Sequence, residues 1–172
     1  MNPKRIQIYV GLVVTLAIGA AALQDWDALF GPLWDSESLP WEHVIGWLAL
    51  LSLGLIAETL TLSIKVGSSA GSTSSINSLT LLTSILLFGA TPTILFWAIT
   101  GIIGEFLIRR KEAIRAVFNS AQYILATSVA GWVYTALGGQ ALAFVDKDLV
   151  ATQLWMDLIP FIAFGVVFLL VN

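Results

Sequence analysis

The sequence predicts an all-α integral membrane protein: a bundle of about six transmembrane helices, the third and fourth short, with one extended polar segment. Three observations predict it. Hydrophobic residues make up 58% of the 172 residues and charged ones 11%, with a mean hydropathy of +0.89, which leaves too little polar surface to cover a soluble globule of this size. Six apolar runs recur along the chain, and with that helix count seven of the eight Lys and Arg residues fall on one side of a bilayer. The whole chain, 1–172, reads as a single membrane domain with no soluble domain.

A helix needs about 20 residues to cross roughly 30 Å of hydrocarbon, fewer where it is buried among others. The first is expected over residues 6–23. Lys4 and Arg5 followed by an apolar run resemble a signal peptide, but Ala20, Ala21 and Ala22 lead into a strongly apolar body, so a retained helix is expected over a cleaved one. The second covers 44–62. After it, Thr59-Leu-Thr-Leu-Ser-Ile-Lys-Val66 alternates polar and apolar residues as a half-buried strand would. Residues 66–75 are small, polar and poor in helix formers. A flexible cytoplasmic loop is the plain reading; an extended segment tucked against the bundle is permitted where protein or water satisfies its backbone.

The third and fourth helices, 76–88 and 93–108, are separated only by Gly89-Ala-Thr-Pro92, whose Gly and Pro stop one helix and start the next in a tight antiparallel hairpin. Both are short for lone spans, and a re-entrant pair is the competing reading. The fifth covers 113–137 and the sixth 154–171.

Short cytoplasmic loops carry the excess of Lys and Arg. Lys4, Arg5, Lys65, Arg109, Arg110, Lys111 and Arg115 share one side; the other receives Asp25, Asp27, Asp35, Glu37, Glu42, Asp146, Asp148 and the lone base Lys147. Both termini are therefore expected in the cytoplasm. Trp26, Trp34, Trp41 and Trp155 fall at the outer headgroup level, where indoles anchor.

Ionisable groups in hydrocarbon cost at least a few kcal/mol and usually face the bundle interior. The candidates are Glu58, Glu105, Asp157 and, weakly, His43. Glu105 lies four residues before Arg109, a spacing that reads as a local ion pair at the interface. The basic cluster Arg109, Arg110, Lys111 and Arg115 is then a cytoplasmic helix end. Asp157, near the outer end of the last helix, is read at the headgroup level. Asn119 and Gln122 lie on one face of the fifth helix; they either hydrogen-bond a neighbouring helix or contact a polar ligand or the Ser-rich segment. Glu58, Asn77, Asn119 and Gln122 form the expected polar pocket. With one His, no Cys, no phosphate loop and no acids at metal-ligand spacing, no catalytic residues, metal site or enzyme activity are expected, and the sequence names no cofactor.

The order of features carries a resemblance. A polar segment enters a short apolar helix, followed by the Gly-Ala-Thr-Pro turn, a helix ending in Arg-Arg-Lys, Phe118-Asn-Ser-Ala-Gln122 and Val133-Tyr-Thr-Ala-Leu-Gly-Gly139. Over residues 63–139 this resembles the multi-helix N-terminal membrane sensor regions of bacterial cyclic-di-GMP signalling proteins, which precede GGDEF or HD-GYP domains; the ending Phe168-Leu-Leu-Val-Asn172 is also similar. The resemblance implies a non-enzymatic sensor or regulatory module feeding a cytoplasmic output, either part of a longer protein or a stand-alone membrane subunit. A weaker similarity is to the small six-helix substrate-binding subunits of energy-coupling-factor transporters, which would make it a solute-binding or transport subunit. An accessory subunit of a larger membrane complex is the third alternative. Expected partners are the lipid bilayer and partner helices or an output domain, with a homo-oligomer or larger assembly left open and nucleic acid not expected.

Overall fold

The computed structural model describes residues 3–26, 41–63, 75–142, 145 and 148–172; for residues 3, 4, 60–63 and 75–78 it describes the backbone alone. The described residues form α1 (Pro3–Ala22), α2 (Trp41–Ser63), α3 (Ser75–Phe88), α4 (Ala90–Ile102) with a π-helical continuation (Ile103–Ile108), α5 (Ala113–Ala136), α6 (Val150–Met156) and α7 (Leu158–Val171). No strand occurs among them. Three stretches are long and apolar enough to cross a membrane: Arg5–Ala22, Trp41–Thr59 and Ala90–Ile108; α6 and α7 together make a fourth if the bent pair is one span. Among the described residues, three or four of the expected six spans thus meet the length and composition needed to cross.

The two helices missing from that count differ in kind. At 14 residues, α3 is about 21 Å long, well short of the hydrocarbon thickness. By contrast, α5 has 24 residues and is long enough, but carries Asn119, Ser120, Gln122, Thr127 and Ser128. Its position explains that composition, since α1, α4 and α7 all pack against it. A helix covered by protein needs no apolar circumference, and two of its buried hydroxyls turn back on its own backbone. Thr127 Oγ1 donates to Tyr123 O at 2.8 Å and Ser128 Oγ to Ile124 O at 2.8 Å. Small residues bring the neighbours close: a Cβ on Gly131 would stand 2.9 Å from Ala90 Cβ.

The main core joins Leu81 and Ile85 of α3, Phe96 and Trp97 of α4, Tyr134 of α5, and Phe164 and Phe168 of α7. Trp97 lies against Tyr123 and Phe168, with ring centroids 4.9 and 6.2 Å apart. A smaller core holds Val13 and Ala17 of α1 against Ala121. On the outside, Ile8, Leu16, Ile45, Ile159 and Leu170 are among many exposed large apolar side chains. Such a surface is costly in water and matched to lipid, which supports a membrane location.

Four local expectations change. The strand-like alternation begins inside α2, which runs to Ser63; Thr59 Oγ1 donates to Ile56 O at 2.7 Å, so the hydroxyl is satisfied within the helix. The rest of the expected extended segment, residues 64–74, lies outside the described residues. Gly89 alone, at φ 81°, separates α3 from α4, and Ser84 Oγ meets Thr93 Oγ1 at 2.9 Å across the reversal. Pro92 falls in the first turn of α4, where its missing N–H costs nothing.

The last helix starts earlier than expected, at Val150, and bends by 48° between α6 and α7. Pro160 supplies the cause: it cannot donate to Met156 O, and its ring crowds that carbonyl. Asp157 N still donates to Gln153 O and Phe161 N to Asp157 O, each at 2.8 Å, so the backbone ladder continues across the bend. Among the expected anchors, Trp41 and Trp155 are well exposed, whereas Trp34 lies outside the described residues.

Candidate functional site

The end of α4 builds the principal polar site. From Ile103 the helix widens to π geometry, with Arg109 N donating to Gly104 O at 2.8 Å. Arg110 then adopts φ 49°, the left-handed conformation that ends helices. The turn carries the chain back, and Lys111 N donates to Glu105 O at 3.0 Å. Lys111 is thereby brought over the Glu105 side chain.

Glu105 is the centre of the resulting network and is 1% exposed. Its Oε1 accepts from Arg109 Nη1 at 2.8 Å; its Oε2 accepts from Asn119 Nδ2 at 2.9 Å and pairs with Lys111 Nζ at 2.7 Å. Arg109 also reaches across to α2, its Nη2 lying 2.5 Å from Glu58 Oε1. Glu58 is 4% exposed. Gly104 makes that approach possible, since a Cβ there would lie 3.0 Å from Glu58 Oε1 and 3.1 Å from its Cγ. Two carboxylates thus meet two cations, and each charge removed from water is offset by an opposite one.

Of the expected site residues, Glu58 and Asn119 are joined in this network through Glu105 and Arg109. Gln122 is not part of it; its Nε2 donates to the main-chain oxygen of Asn172 at the end of α7. The side chain of Asn77 lies outside the described residues. The basic cluster divides. Arg109 and Lys111 belong to the network, whereas Arg110 is exposed and Arg115 forms an exposed 3.5 Å pair with Glu112, an arrangement worth little. The spacing of Glu105 and Arg109 correctly signalled their pair. Nothing local in the sequence signals that Lys111, three residues past the helix end at Ile108, returns to the same carboxylate.

Asp157 forms a second polar centre and is fully buried within the bundle. Its Oδ1 accepts from Gln140 N at 3.2 Å and from Gln153 Nε2 at 2.9 Å. Nearby, Tyr134 Oη donates to Gln140 O at 2.8 Å. The bend and the packing of α7 against α5 draw this acid inward. Among the described residues no group of three or more His, Cys, Asp or Glu could hold a metal ion. Comparison with protein-family models, with curated proteins and with solved structures finds no match.

Proposed function

We propose that the chain is a non-enzymatic membrane sensor or regulatory module that crosses the bacterial inner membrane six times, with both termini cytoplasmic, and feeds a cytoplasmic signalling output. In this reading α3 crosses where neighbouring helices cover its short length, and α5 crosses at the centre of the bundle. The positive-inside bias of Lys4, Arg5 and the Arg109 cluster supports the orientation. The observation that carries the functional reading is the pair of amides on α5. Asn119 holds the charge network of α2 and α4, and Gln122, one turn on, holds the end of α7. A change at the network therefore has a short path to the point where an output would attach. The resemblance of residues 63–139 to sensor regions ahead of GGDEF and HD-GYP domains points the same way.

A reporter active on only one side of the membrane, fused after Asn172, tests the topology, and an external C-terminus would refute the proposal. A spin-label distance between α2 and the end of α7 tests the path. It is expected to change in Asn119→Ala, and an unchanged distance would remove the coupling on which the sensor reading rests.

A further inference from the structure

A groove of about 390 Å³ runs along α5 between α1 and α4, within the ~300–1,000 Å³ of small-molecule sites. Ile18, Ile102, Phe106 and Val117 line it and are exposed; Ser120 and Ala121 line it and are buried. Apart from Ser120, every side chain lining it is apolar. The first helix runs parallel to α5, with Tyr9 beside Phe118 at 5.6 Å between ring centroids and Ala17 against Ala121. By contrast, α4 runs antiparallel to α5, with Ala90 beside Gly131 and Glu105 bonded to Asn119.

Two features decide what such a groove would hold. Ser120 is 5% exposed and its Oγ has no hydrogen-bond partner. Thr127 and Ser128 of the same helix satisfy their hydroxyls on its backbone, so Ser120 is an exception, and a costly one. The second feature is charge. The helix directions put the start of α1, the end of the π-helical run and the start of α5 at one end of the groove, and each carries an exposed arginine there: Arg5, Arg110 and Arg115. Basic pockets between membrane helices suit anionic headgroups.

We propose that the groove binds one acyl chain of an anionic glycerophospholipid, with the phosphate at Arg110 and Arg115 and an ester carbonyl accepting from Ser120 Oγ. Arg115 precedes Ser120 by five residues, about 7.5 Å along the helix axis, an offset of the order of that between phosphate and ester carbonyl in such a lipid. The hydroxyl turns about χ1 alone, so meeting a carbonyl requires no backbone movement. A partner helix suits the groove less well, since one turn of a helix about 10 Å across takes more than this volume. The site rests on a membrane location and stands whether or not the chain is a sensor.

Native mass spectrometry of the whole protein, released from nanodiscs of mixed phosphatidylglycerol and phosphatidylcholine, tests it. The wild type is expected to retain one phosphatidylglycerol per chain, preferred over phosphatidylcholine by about tenfold or more. Ser120→Ala should weaken retention about fivefold, the loss of one hydrogen bond. Arg110→Gln/Arg115→Gln should abolish the preference between headgroups. Val117→Trp, at an exposed position of the groove wall, should fill the groove and remove the lipid; if it does not fold, Ser120→Ala carries the test. A wild type without preferential retention overturns the proposal, as does either Ser120→Ala or a folded Val117→Trp that holds lipid like the wild type. A lipid-free dimer that Val117→Trp dissociates would overturn it in favour of a second copy of the chain.

Discussion

Replacing Arg109 by Leu removes the cation that serves two acids at once. Glu105 would keep Lys111 and Asn119, but Glu58 would lose its 2.5 Å partner while remaining in a position only 4% exposed. Removing one member of a buried pair costs on the order of 3–5 kcal/mol because the other charge stays desolvated. The Arg109 side chain is 21% exposed, so water can follow it in, and the low end of that range, about 3 kcal/mol, is expected. That corresponds to roughly a hundredfold change in the folding equilibrium. The assay is reversible unfolding in mixed micelles, followed by tryptophan fluorescence, with the buried Trp97 as one reporter. The double variant Glu58→Leu/Arg109→Leu removes the buried carboxylate together with its cation and should recover about half or more of the loss, since apolar replacement of a complete pair is often neutral. Arg109→Leu within about 0.5 kcal/mol of the wild type, the usual scatter for a surface substitution, would refute this account. So would a double variant as unstable as the sum of the singles.

Gly131→Ala places a methyl 2.9 Å from Ala90 Cβ; overpacking of about 1–3 kcal/mol is expected, read as a lower unfolding midpoint. Pro160→Ala restores a donor for Met156 O, and labels at residues 151 and 169 should report a straightening from 48° to under about 20°. Gln122→Ala releases the last turn of α7, so amide exchange at residues 168–172 should quicken while global stability falls by no more than about 1 kcal/mol.

The membrane class and most helix positions were legible because apolar run length is a property of the chain alone. The charge network was legible only as far as its local spacing: Glu105 and Arg109 are neighbours on one helix face in any helical model. Glu58 and Asn119 stood out because polar groups are scarce in apolar runs, yet their partners depend on how α2 and α5 pack. Lys111 depends on a left-handed residue at Arg110, a conformation its side chain does not advertise. The strand-like alternation at residues 59–63 misled because five residues of period two weigh less than the helix already running through them. The burial of Asp157 depends on how α7 packs against α5, which its place along the chain does not show.

The π-helical run at the end of α4 has a mechanical consequence. A π turn holds one residue more than the α turn it replaces, and at 3.6 residues per turn one residue is worth about 100° of rotation. Rewinding Ile103–Ile108 to α geometry would swing the Arg109 guanidinium about that far round the axis, away from Glu58, while the start of α4 stayed in place. The ion network therefore acts as a catch on one winding of the helix. Whatever favours the other winding would release α2 by turning a screw, with no need to push a piston.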